Sequence, residues 1–137
     1  MSLARDRRRG SYQARRLFGL QKPLGDVVPT IQRATVLSFD AVPKLVAAAQ
    51  AGMRVRVYQY ELFVIGLDVV KFQSWDGAAA FTDATGDIGI DAARNRGLPL
   101  HVGYSPVGHF QSLVGQHLVL APVLGTVTTG NVWYAYV

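Results

Sequence analysis

From Val27 onward, short apolar stretches alternate with turn residues, β-branched and aromatic residues recur, and no long segment keeps a 3.6-residue period. The pattern predicts an all-β domain. Thr35-Val36-Leu37-Ser38-Phe39 reads as an early strand. The one helix-like stretch is Val42 to Ala51, where Ala47-Ala48-Ala49-Gln50-Ala51 has good helix propensity but meets Gly52 at once. A turn or two of helix, or a loop, is expected there.

Met53-Arg54-Val55-Arg56-Val57 alternates cleanly, with Met53, Val55 and Val57 on one face. Further along the parity reverses, because Gln59 and Glu61 take odd positions while Tyr58, Tyr60, Leu62 and Val64 take even ones. Either a bulge lies near Tyr58 or both faces of this strand are covered, the second option implying a subunit interface. Asp68 to Trp75 follows as a strand with Val70 and Phe72 on one side and Lys71 and Gln73 on the other. Asp76-Gly77 closes it as a turn, and the two strands are expected to be adjacent and antiparallel.

Downstream, strands are expected at Leu98 to Val102, His109 to Gln111, His117 to Leu120, Thr126 to Thr128 and Asn131 to Val137, punctuated by glycines and prolines. The count is about eight, the usual strand number of an antiparallel jelly-roll sandwich; an immunoglobulin-like sandwich is the nearest alternative. The last strand is apolar on both faces, with Val132, Tyr134 and Tyr136 opposite Trp133, Ala135 and Val137. It is expected to be central in its sheet, with another subunit over its second face. Tyr58, Tyr60, Trp133 and Tyr136 are the subunit-interface candidates.

The 137 residues allow one domain, half of them hydrophobic and only 17% charged. The absence of cysteine excludes a disulfide scaffold and thiolate chemistry. No apolar stretch is long enough to span a bilayer, and the basic N-terminus lacks the apolar run of a signal peptide, so a protein without a membrane anchor, made without export, is expected. The net charge of +5 is unevenly divided: residues 1–22 carry +6, and residues 23–137 sum to −1. The chain therefore reads as a basic arm and linker over residues 1–26 and a nearly neutral sandwich over 27–137.

A solvated tail is the plainest reading of the arm. Docking on a partner protein is the favoured one, because Leu17, Phe18 and Leu20 follow the arginines and would be wasted on a purely electrostatic tail. Arg7, Arg8, Arg9, Arg15 and Arg16 would meet acidic patches, and the three apolar residues would enter apolar pockets. Nucleic-acid binding is the third reading, with Tyr12 alone available for stacking.

Candidate chemistry is sparse. His101, His109 and His117 are evenly spaced, but on separate strands that spacing fixes no common metal site. Asp83, Asp87 and Asp91 recur every fourth residue without the spacing or closing glutamate of a calcium loop, so a solvated loop is expected. Glu61 is the single glutamate, and no nucleophile elbow or phosphate-binding glycine loop is present, so no enzyme and no cofactor are indicated.

The stretches Ala51 to Val57, Val69 to Ser74, Ser105 to Ser112, Gly115 to Leu120 and Gly130 to Val137, in that order, resemble the small jelly-roll virion proteins of tailed bacteriophages. The resemblance covers residues 51–137 and is silent on the arm. It implies a fold like tumour necrosis factor, a homotrimer, and a place on the virion exterior. There the protein would decorate or cement the capsid or form the base of a head fibre, with the major capsid protein or other virion proteins as partners. A receptor- or glycan-binding tail module, with contacts at Asp76 to Asp87 and Arg94 to Gly97, is the alternative of a different class. A nucleic-acid-binding capsid protein is a third.

Overall fold

A computed structural model of the chain describes residues 29–38, 40–91, 93–94, 96, 98–123 and 127–137. They form a two-sheet antiparallel β-sandwich, and among the described residues there is no helix, hence none long and apolar enough to cross a membrane. The strands are β1 (Gln32–Ser38), β2 (Lys44–Ala47), β3 (Val55–Val64), β4 (Leu67–Trp75), β5 (Phe81–Asp83), β6 (Ile88–Asp91), β7 (Leu100–Val102), β8 (Phe110–Gln111), β9 (His117–Pro122) and β10 (Thr128–Tyr136). One sheet runs β1-β10-β3, with β7 and β8 sharing the far flank of β3; the other runs β2-β9-β4, with β5 and β6 sharing the far flank of β4.

Ten segments thus fill four positions in each sheet. The pairings are nested: β1 with β10, β2 with β9, β3 with β7 and β8, β4 with β5 and β6. The chain behaves as one long two-stranded ribbon, closed at the Asp76 turn and folded over itself. The expected central place of the last strand is observed, since β10 lies between β1 and β3.

The parity reversal in β3 is a bulge. Trp133 faces Gln59 while Tyr134 faces Val57, which leaves Tyr58 as the extra residue on β3. Val55 and Val57 on one side of it and Leu62 and Val64 on the other therefore all reach the same core.

Four expectations are corrected. The helix-like stretch holds β2, because pairing with β9 buries Val46 and Ala47, and tertiary burial outweighs a short run of helix propensity. The Asp83 to Asp91 segment is a loop only over residues 84–87, since its two ends belong to β5 and β6 on the flank of β4. Strands β3 and β4 are not neighbours: the chain crosses between sheets at Ile65-Gly66, where Gly66 takes φ 96°. That crossing sets Leu62 and Val64 in one sheet against Val70 and Phe72 in the other. Finally, Thr128 and Asn131 belong to one strand, because Gly130 is a close approach rather than a break: a Cβ there would lie 2.7 Å from Leu62 Cδ2.

The core is Val36, Val46, Val55, Val57, Leu62, Val64, Val70, Phe72, Ile90, Leu118, Leu120 and Val132, with Tyr134 at its margin. Burying each large side chain is worth about 1.5–3 kcal/mol relative to exposure. Tyr60, Phe72 and Phe110 form an aromatic cluster across the sheets, with Phe72 and Phe110 ring centroids 4.7 Å apart.

Polar groups clip the sheets together at both ends. Near the Ile65-Gly66 crossing, the fully buried Asp68 of β4 accepts a hydrogen bond from the Thr128 hydroxyl of β10 and another from its neighbour's amide, Val69. At the other end, Ser112 Oγ accepts from Val55 N–H at 2.8 Å, and Ser74 Oγ accepts from Leu113 N–H at 2.8 Å. The Asp68, Ser74 and Ser112 side-chain oxygens thus all have partners, which keeps their burial from costing stability.

Candidate functional site

Of the residues singled out from the sequence, Arg7, Arg8, Arg9, Arg15, Arg16, Leu17, Phe18 and Leu20 lie outside the described residues. The four aromatic candidates go to different places. Tyr60 packs against the core beside Phe72 and Phe110, and burial pushes its hydroxyl above the ordinary 10.0. Tyr136 packs at the core margin and donates to Ala48 O at 2.8 Å; burial, with Tyr134 beside it, raises its pKa as well. Tyr58, the bulged residue, is buried and stacks on Tyr104 at 6.0 Å. Trp133 alone of the four belongs to the outward row of the β1-β10-β3 sheet, half-buried between Arg33 and Gln59 in register.

That outer face carries an arrangement that sequence reasoning missed. Register places Thr35 of β1, Asn131 of β10, Glu61 of β3 and His101 of β7 in one row across four strands. The Thr35 hydroxyl donates to Asn131 Oδ1 at 2.8 Å, and Asn131 Nδ2 donates to Glu61 Oε1 at 3.0 Å. His101 Nδ1 lies 3.5 Å from Glu61 Oε2. A shallow cavity beside the row is lined by Glu61, Phe63, Pro99, Thr129, Gly130 and Asn131. One row toward the start of β1 lies Trp133; one row the other way come Leu37, Thr129 and Phe63. Chemically the face offers ordered donors and acceptors between apolar side chains, suited to contact with another surface. The singular Glu61 was the available signal, but its partners lie 26 to 70 residues away in sequence and depend on the register.

The histidines do not meet. His101 is at Glu61, His109 Nε2 lies 2.7 Å from Gly103 O, and His117 Nδ1 accepts the Ala49 amide at 2.9 Å while its ring packs 5.1 Å from Trp75. Among the described residues, no three His, Asp or Glu side chains come together as metal ligands.

On the other sheet, Lys71 Nζ is 3.1 Å from Asp83, and Gln73 Nε2 donates to Asp83 Oδ1 at 2.8 Å. The Gln73 amide, then the Lys71 ammonium, hold the Asp83 carboxyl below the ordinary 3.8. The Asp76 carboxylate closes its own turn by accepting from the Ala78 and Ala80 amides, which lower its pKa too. Beside that turn, Trp75 and Phe81 lie nearly parallel, at 8° and 5.8 Å, with Phe81 43% exposed.

The loops hold a second feature absent from the sequence reading: exposed aliphatic residues at Val42, Ile65, Leu98 and Val123. Each stands next to Pro43, Gly66, Pro99 or Pro122, and an aliphatic residue beside such a breaker was the signal that marks it as a connection rather than a strand. Fold and surface together define a β-sandwich with an ordered polar row on one sheet and apolar loop tips. The chain matches no family model, no curated protein and no solved structure.

Proposed function

We propose that the sandwich is a jelly roll and that the chain is a structural virion protein. In this reading it is a trimer that binds the outside of a phage capsid as a decoration, cement or head-fibre-base protein. The observation that carries it is the nested pairing, in which a single ribbon wraps into two sheets of four positions each. The same nesting underlies the double-sheet jelly roll. The resemblance of residues 51–137 to small jelly-roll virion proteins points the same way. The surface described above adds support, since an ordered outer-face row and apolar loop tips suit a symmetric assembly held by many modest contacts. The basic arm docks on neighbouring capsid proteins in this reading.

Light scattering on the full chain and on a chain beginning at Asp26 is expected to return a trimer mass for both. A monomer in both would remove the subunit reading. Deleting residues 1–22 is expected to leave a folded trimer that no longer joins capsids, and normal incorporation of the shortened chain would refute the arm's role. The near-parallel Trp75 and Phe81 rings, with Phe81 exposed, favour one second reading, a glycan-binding tail module that stacks a sugar ring beside the Asp76 turn. Saccharide binding that is lost on Phe81→Ala would move the assignment there.

A further inference from the structure

Cations meet carboxylates at one end of the sandwich far more than at the other. Where Val42, Ile65, Leu98 and Val123 emerge on four connections, Lys44 lies 3.1 Å from Asp40 and Arg94 3.7 Å from Asp91, with Arg96 exposed beside them. Lys71, in mid-sheet, lies 3.1 Å from Asp83. At the Ser112 end, Arg33, Arg54 and Arg56 meet no carboxylate among the described residues. The Asp76 carboxylate of that end belongs to the other sheet and is taken up by the amides of its own turn.

The three arginines share the outer face of the β1-β10-β3 sheet. Arg33 is in register with Trp133, Arg56 with Ala135, and Arg54 exchanges two backbone hydrogen bonds with Val137. Arg56 is the most firmly held of the three. Its stem lies against the Ser105 to Gly108 turn, where Gly108 takes φ 84° and a Cβ would come within 2.7 Å of Arg56 Cγ and Cδ. Its Nε donates to Gln111 Oε1 at 3.0 Å, and its two terminal nitrogens have no acceptor among the described residues. With Val107, Gly108 and Gln111 it lines an open cavity of about 260 Å³. A guanidinium fixed by its stem and its Nε, with the outer fork free, takes an oxyanion at little ordering cost.

We infer that this end of the sheet docks an acidic peptide segment of a partner protein, with one carboxylate on the Arg56 fork and a second on Arg54. Spacing sets the pattern. Arg54 and Arg56 stand two residues apart on one face of a strand, about 6–7 Å, which is also the separation of side chains i and i+2 in an extended partner. Arg54 is free to join, since its one contact, Nη1 to Ser112 O, is long at 3.5 Å. The surroundings select a peptide over a nucleic acid. Val107 is 77% exposed at the cavity, and Leu113 and Val114 are exposed beside Ser112, aliphatic groups that suit apolar side chains and offer nothing to a phosphate backbone. The site is made by the sandwich alone, so it goes beyond the assembly reading and needs neither the arm nor a trimer.

Its test is a titration of the isotope-labelled full chain with the blocked peptide Gly-Glu-Ser-Glu-Gly, followed by nuclear magnetic resonance. Shifts are expected at Val107, Gly108, Gln111 and the Arg56 Nε–H group, and none with the twin peptide in which Gln replaces both Glu. Arg56→Gln is expected to weaken binding about tenfold, and Arg56→Lys nearly as much, because lysine keeps the charge and loses the fork. Arg54→Gln, at a side chain with only one long contact, is expected to weaken binding too and serves where an Arg56 variant does not fold. Lys44→Gln, at a cation already paired, is expected to change nothing. No shift at the cavity, shifts confined to residues 1–28, or a dissociation constant unchanged by the arginine-to-glutamine variants would overturn the site. Full binding by Arg56→Lys would do so as well, since a diffuse positive patch would then suffice. An oligothymidylate that displaces the peptide and takes over the same shifts would make the ligand a nucleic acid instead. Subunit mass and capsid incorporation are not read in this experiment, so the site and the assembly reading fail independently.

Discussion

Replacing Thr128 with valine removes one hydroxyl and almost no volume. That hydroxyl donates to the Asp68 carboxylate, and both residues are 0% exposed, so water has no route to replace the lost bond. A hydrogen bond to a charged group contributes about 1.5–3 kcal/mol, and a buried oxygen left without it bears its desolvation cost. Thr128→Val is therefore expected to destabilise the fold by about 2 kcal/mol, or roughly 10 °C in melting temperature for a domain of this size. Urea titration should show a lower midpoint with an unchanged slope. Thr35→Val is the control: it deletes the same group from an exposed residue, where the cost is expected to stay within about 0.5 kcal/mol. Combining Thr128→Val with Asp68→Asn should cost less than the two single losses together, since the pair no longer leaves a carboxylate facing a methyl group. If Thr128→Val melts within about 0.5 kcal/mol of the parent, or no lower than Thr35→Val, the Asp68–Thr128 clip does not hold the sheets together in the way argued here.

Two further outcomes follow from the geometry. Gly130→Ala puts a methyl 2.7 Å from the buried Leu62 Cδ2 and 3.3 Å from Glu61 O, so a net loss of about 1–3 kcal/mol is expected in thermal melts, eased by adding Leu62→Val; a neutral Gly130→Ala would contradict the close approach. Asp83 is held below its ordinary 3.8 by Gln73 and Lys71, so the stability it contributes is full above that value and lost as pH falls through its lower folded pKa. Asp83→Asn should flatten that part of the acid-denaturation curve between about pH 5 and pH 2, and an unchanged curve would show that the contacts to Lys71 and Gln73 do not hold in solution.

Alternation along the chain was enough to reveal that the protein is built of strands, that the parity of β3 reverses near Tyr58, and that the two-faced β10 sits inside its sheet; that the reversal is a bulge and not a second covered face was decided by the register with β10. Those are local consequences of the two-residue period, which assigns each side chain to a face whatever lies across from it. The concentration of positive charge in residues 1–22 was likewise legible, because charge is counted along the chain. Pairing is not local. Whether β3 and β4 share a sheet depends on what flanks each of them, and the Ile65-Gly66 corner reads in sequence like a hairpin turn. Strand β2 exists because β9 buries Val46, and β5 and β6 because β4 has a free flank, so propensity over Ala47 to Ala51 and the aspartates from 83 to 91 pointed elsewhere. The Thr35, Asn131, Glu61 and His101 row and the gathering of Val42, Ile65, Leu98 and Val123 at one end have the same origin. Each joins residues distant in sequence, brought together by register and by the wrapping of a ribbon, and only the tertiary structure specifies those.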